Sequence, residues 1–239
     1  MMERNNSCVP MVVSDQRSSA LTSQAAEPSW LNEANILRST DGVEYHPLLP
    51  FLPVNAKVLF LGSFPPQRKR WCMDFYYPNF NNDHWRIEGE VFFADRNHFV
   101  MPDKKCFDLD AIVAFCKDRG IAFFDTATAV RRLKDNAADE FLEVVEATDI
   151  AALLEQLPHC KAIVTTGQKA TDTLCRTFNI VQAPRVGQAI EIPHRHILLY
   201  RLPSSSRAYP LAFDKKVAFY REMFMAMTLV GSSSLAKNS

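Results

Sequence analysis

The chain has 239 residues, 47% of them hydrophobic and 23% charged, the make-up of a globular protein with room for one substantial domain. Its 27 basic and 27 acidic side chains cancel, so it lacks the overall positive charge of a typical non-specific nucleic-acid binder. Its 6 cysteines are scattered without Cys-x-x-Cys or Cys-His spacing, which argues against a zinc or iron–sulfur site and suits reduced thiols in a cytoplasmic protein.

Residues 1–29 are rich in Ser, Gln, Asn and Glu and lack the apolar core of a signal peptide, so a flexible segment is expected there. No apolar run approaches membrane-spanning length. Residues 30–230 read as one domain, and residues 231–239, opening Gly231-Ser232-Ser233-Ser234, read as a flexible tail. Within the domain, Val58 to Phe64 is a short apolar run bounded by Gly and Pro and predicts a buried strand. Asp108 is placed to cap a helix with apolar positions Leu109, Ile112, Val113 and Cys116, ending at Gly120. Ile121 to Asp125 predicts a second strand, followed by helices over Asp139 to Val145 and Asp149 to Leu157. Ala162 to Gly167 predicts a third strand and Gln168 to Phe178 a helix. His196 to Leu202 is the fourth strand, and Leu211 to Met227 the closing helix. Strands separated by helices imply parallel pairing through right-handed crossovers, hence a three-layer α/β/α sandwich with a central four-stranded parallel sheet.

Every one of these strands stops at a polar signature. The endings are Gly62-Ser63-Phe64-Pro65-Pro66, Asp125-Thr126-Ala127-Thr128, Thr166-Gly167-Gln168-Lys169 and Pro203-Ser204-Ser205-Ser206-Arg207. One alone is ordinary helix capping or a loop brace, whereas four on one rim describe a pocket at the strand ends where open α/β sheets bind ligands. The serine loop offers many donors, and from Ile192 to Pro210 the chain has no acidic residue while Arg195, Arg201 and Arg207 are present. Gln67-Arg68-Lys69-Arg70 follows the first proline loop, so both loops are basic in a neutral protein and suit phosphate oxygens. There is no Gly-x-Ser-x-Gly elbow and no P-loop to support a hydrolase of small phosphorylated molecules.

Gly62-Ser63-Phe64-Pro65-Pro66 and Leu202-Pro203-Ser204-Ser205-Ser206-Arg207 resemble the two signature loops of the uracil-DNA glycosylase superfamily. Between them, Tyr76-Tyr77-Pro78 with Asn82-Asp83-His84-Trp85 is similar to the element after the first motif in the mismatch-specific (thymine/uracil) and hypoxanthine-DNA glycosylase branches. Gly120 to Asp125 with Asn136 to Asp139, and Ile163 to Ala170, continue the resemblance in order, from about Val58 to Phe224.

The resemblance implies base excision repair. A deaminated base, uracil or hypoxanthine, is flipped out of DNA and its N-glycosidic bond hydrolysed without metal or cofactor by a monomeric enzyme. Flipping is easiest for a mispaired base. On this resemblance Pro203, Ser204, Ser205 and Ser206 press the DNA backbone, and Arg207 either fills the vacated stack or meets a phosphate. Gln168 and Lys169 are further candidates for the DNA strand, while Gly62, Ser63, Phe64, Tyr76 and Tyr77 form the base pocket. Phe64 stands where the mismatch-specific branch has a water-holding asparagine, and a phenyl ring can stack but cannot orient water. Asn82, three residues before Trp85, is the leading substitute; Asn79 and Asn81 compete with it, and Asp83 and Asp125 are stronger bases. The alternative is a DNA- or nucleotide-binding module on the same fold without the chemistry.

Overall fold

A computed structural model describes residues 42–133 and 141–230. The expected N-terminal segment, the tail and the Asn136 to Asp139 stretch lie outside the described residues. The elements run β1 (Val43–Tyr45), β2 (Val58–Gly62), α1 (His84–Phe93), α2 (Leu109–Arg119), β3 (Ile121–Asp125), β4 (Ala127–Arg132), β5 (Leu142–Ala147) and α3 (Ile150–Glu155). They continue with β6 (Ala162–Thr166), α4 (Gln168–Thr177), β7 (Ala189–Glu191), β8 (Leu198–Leu202) and α5 (Phe213–Ala226).

The central sheet has the order β3-β2-β6-β8-β7. The four expected strands are parallel, but β7 adds an antiparallel fifth at the β8 edge, so the expectation of a four-stranded parallel sheet is corrected to a five-stranded mixed one. β7 is three residues long and mostly exposed, too short and too polar to show as a strand in sequence. A separate antiparallel sheet, β1-β4-β5, stands beside it. This sheet corrects the helix expected over Asp139 to Val145. Leu142 and Val144 alternate with Glu143 and pack on Val130, Ala127 and Phe64, so burial on one strand face outweighs the helix propensity of a Glu- and Ala-rich segment.

The caps hold where side-chain chemistry dictates them. Asp108 Oδ1 accepts from Ala111 N at 3.0 Å and Asp149 Oδ1 from Ala152 N at 3.0 Å. Gly120 closes α2 at φ 72°, and a Cβ there would lie 2.5 Å from Asn55 O. Helix α1 is absent from the sequence expectations because it is buried nearly all round, through His84, Trp85, Arg86, Ile87, Glu88, Gly89 and Val91, and so shows no amphipathic stripe.

Helices cover both faces of the main sheet. Phe60 turns to one face and packs on Phe123 at 5.5 Å, Phe224 of α5 at 5.9 Å and His84 of α1 at 5.4 Å between ring centroids. Thr165, whose register partner Leu61 points away from Phe60, bonds Thr171 of α4 on the other face at 2.9 Å. Among the described residues no helix is long and apolar enough to cross a membrane.

Because Phe60 is fully buried and joins β2, β3, α1 and α5, Phe60→Ala is expected to destabilise the fold by about 3–5 kcal/mol, measured by urea unfolding.

Candidate functional site

The parallel strands run in step: Val58 pairs with Ile121 and with Ala162, and Ala162 with Leu198. Their C-terminal ends therefore reach one level. Above them opens a cavity of about 680 Å³ lined by Gly62, Asp125 and Thr166 from three strand ends and by Ser204, Ser205 and Ser206 from the loop after β8.

The wall from the first loop carries Ser63 and Phe64. Phe64 is held by Ala127, Val130 and Leu142 of the small sheet, and the Arg132 guanidinium lies 5.7 Å from its ring centroid. Arg132 also lines the cavity; its Nε donates to both Glu44 carboxylate oxygens at 2.9 Å and its Nη2 to Pro65 O at 2.6 Å. Tyr76 and Tyr77 supply two further aromatic faces. Tyr76 OH donates to Leu49 O at 2.8 Å, and burial, with the Asp125 charge behind it, pushes its phenol well above the ordinary value. Tyr77, at φ 50°, stacks on buried His84 at 3.6 Å, and its hydroxyl meets Thr166 Oγ1 at 2.8 Å. His84 Nε2 and Glu88 Oε1 lie 3.0 Å apart behind it, close but out of line for a hydrogen bond.

Asp125 brings a carboxylate to the cavity from the end of β3. Its Oδ2 lies 3.0 Å from His46 Nε2, and its Oδ1 sits over Gly62, where a Cβ would come within 2.5 Å. Its backbone carbonyl accepts from Thr148 Oγ1 at 2.7 Å. Gly62 is thus required by the close approach of a carboxylate.

Asn79, Asn81 and Asn82 all line the cavity. The Asn82 side-chain carbonyl accepts from His84 N at 2.9 Å in the turn that leads into α1, which leaves the side-chain N–H groups for other work. Arg86 braces this turn, with Nη1 donating to Phe80 O at 2.8 Å and its guanidinium stacked 4.4 Å from the Phe80 ring centroid. Burial holds that guanidinium below its usual value.

Asp83 is committed elsewhere. Its Oδ1 accepts from Arg207 Nε at 2.8 Å, its Oδ2 lies 3.6 Å from Lys216 Nζ, and its backbone N donates to Ser205 O at 3.0 Å. Lys216, 1% exposed, also donates to Ser206 O at 2.7 Å. This clamp fastens the serine loop to the start of α1. Arg207 lines the cavity with its side chain 48% exposed and one edge anchored on Asp83.

Most of the residues singled out in sequence converge here: Gly62, Ser63, Phe64, Tyr76, Tyr77, Asn82, Asp125, Ser204, Ser205, Ser206 and Arg207. Three lie off the cavity lining. Pro203 is buried, its carbonyl accepting from Tyr220 OH at 3.3 Å. Gln168 is exposed and bonded to Asp172 and Arg201, with Lys169 beside it, at the start of α4. His46, Arg86 and Arg132 were missed. They come from separate stretches of chain with no motif around them, and the separation of 79 positions between His46 and Asp125 leaves no local signal.

Among the described residues no group of three or more His, Cys, Asp or Glu side chains is placed to hold a metal ion.

No protein-family model and no curated protein matches the chain. Among solved structures it is similar to the solution NMR structure of a protein from Methanosarcina acetivorans provisionally assigned as a uracil DNA glycosylase. The identity is 23%, the TM-score 0.49, and the match covers 76% of this chain and 98% of that one.

Two substitutions test the geometry. Gly62→Ala is expected to drive the Asp125 carboxylate off His46 at a cost of about 1–3 kcal/mol, seen as a lowered Tm and, in a crystal structure, as loss of the His46–Asp125 contact. Asp83→Ala strands the buried Lys216 ammonium and is expected to cost about 3–5 kcal/mol in urea unfolding.

Proposed function

We propose that the chain is a DNA glycosylase that hydrolyses the N-glycosidic bond of a deaminated base, uracil or hypoxanthine, flipped out of DNA. The observation that carries this reading is one cavity lined by the aromatic side chains of Phe64, Tyr76 and Tyr77 and by the Asp125 carboxylate, with the serine loop and arginines lining it as well. Aromatic faces suit a planar base, and the donors of Ser204 to Ser206 with Arg70 and Arg207 suit the phosphates on either side. The order of the two signature loops in the sequence supports the same reading.

In this mechanism Asp125 orients a water beneath the flipped nucleotide and takes its proton as the oxygen bonds to C1′. The C1′–N bond breaks with its electron pair on the base nitrogen, so positive charge grows on the sugar while the base leaves as an anion. The carboxylate stabilises the former. The Asn82 side-chain N–H groups and the Ser63 hydroxyl are donors for the latter. The base gains a proton from solvent as it departs. Phosphate contacts make binding salt-dependent.

One observation favours the second reading, a binding module without chemistry: Phe64 stands where the resemblance places a water-holding asparagine, and the Asn82 carbonyl that would substitute for it is engaged by His84 N. Single-turnover base release separates the two. With duplexes carrying uracil or hypoxanthine, wild-type protein is expected to release the base, and Asp125→Asn to slow release by about 10²–10⁴-fold, the range for loss of a general base. Asn82→Ala is expected to slow it by about tenfold, the worth of one neutral hydrogen bond. DNA binding that weakens with salt and gives no base release from either duplex would support the binding module.

A further inference from the structure

His46 lies just beyond β1, where its backbone N donates to Thr128 O of β4 at 2.8 Å. Its side chain is fully buried. Phe124 packs on it at 4.6 Å, Phe64 meets it edge-on at 5.4 Å and Tyr76 lies at 6.3 Å between ring centroids. A polar ring in such surroundings must bond through both nitrogens. Nε2 lies 3.0 Å from Asp125 Oδ2, and Nδ1 lies 2.8 Å from Leu48 O and 3.2 Å from Leu48 N.

An ionised carboxylate only accepts, so the proton of this contact belongs on Nε2. The Leu48 backbone then satisfies Nδ1 in either state, its N–H donating to the bare nitrogen and its carbonyl accepting from a protonated one. The ring therefore stays aimed at Asp125 whether neutral or charged. No hydrogen bond from the described residues reaches Asp125 Oδ1, which lies over Gly62 at the cavity wall.

We propose that His46 is a positioning residue for the hydrolysis. It fixes Oδ2 through Nε2–H and so presents Oδ1 to the attacking water at one angle. The inference rests on the glycosylase reading of the cavity and deepens it. His46 touches neither water nor base; it acts through Asp125. When Oδ1 takes the proton of the water, the oxygen bonds to C1′ and the leaving base carries away the electron pair of the broken bond. The proton on Asp125 then passes to solvent. Orientation of this kind is what separates an aligned general base from a nearby carboxylate.

The test uses a matched pair, His46→Gln and His46→Met, which share length and shape and differ in the amide donor. In single-turnover base release from uracil or hypoxanthine duplexes, His46→Met is expected to fall about 10- to 100-fold below His46→Gln, the share of a general base's effect that orientation carries. The dissociation constant for undamaged duplex is expected to be equal in the two variants. On an Asp125→Asn background the gap between them is expected to close, because the coupling runs through that carboxylate. Equal rates for Gln and Met in the wild-type background, or a gap that persists on Asp125→Asn, overturns the proposal. Wild-type protein that binds DNA but releases neither base overturns the glycosylase reading itself, and the inference with it. Should both variants unfold in thermal melts, the wild-type protein still decides: long-range ¹H–¹⁵N spectra must show a proton on His46 Nε2 whose signal shifts in Asp125→Asn. A bare Nε2 overturns the proposal.

Discussion

Four parallel strands in one register place everything else. Because Val58, Ile121, Ala162 and Leu198 are neighbours along the hydrogen-bond ladder, β2, β3, β6 and β8 start together and, being five residues each, end together. A slip of one residue would turn each inward side chain to the opposite face, so burial on both faces holds the register. The level rim that results brings Gly62, Asp125 and Thr166 within reach of one ligand-sized space, though more than a hundred residues of sequence separate the first from the last.

Two polar constructions build on that rim, and both rely on burial to make electrostatics count. One is the His46–Asp125 pair, sheltered by Phe64, Tyr76 and Phe124. The other is the Asp83 clamp, where one carboxylate holds Arg207 at the surface and faces Lys216 in the interior, and its backbone amide pairs with the serine loop. Both cost desolvation, which hydrogen bonds to backbone groups of Leu48, Ser205 and Ser206 offset. The small sheet has two duties. It fills the space behind Phe64 with apolar side chains, and from opposite ends of a strand pairing it delivers Arg132 to the cavity and His46 to the back of Asp125.

Phe64 shows how packing and chemistry share one residue. It lines the cavity, and it packs in the small hydrophobic cluster with Ala127 and Val130 of β4 and Leu142 of β5. With that position given to packing, the carboxylate at the cavity comes from the end of the neighbouring strand, where Asp125 approaches a glycine.

By itself the sequence determined the strands and helices whose signals are local: the β-strand runs that stop at Gly or at the serine loop, and the helices opened by Asp108 and Asp149 and closed, in the first case, by Gly120. It also placed both loops that line the cavity, because clusters of Pro, Ser and Arg after an apolar run describe a donor-rich turn whatever surrounds it. Tertiary structure alone decided three things. It made 142–147 a strand, since cross-strand burial is not encoded in local propensity. It buried α1 nearly all round, which erased the periodicity that marks a helix. And it joined His46 to Asp125, because a contact between residues 79 apart arises from strand pairing and leaves no trace in either neighbourhood of the chain.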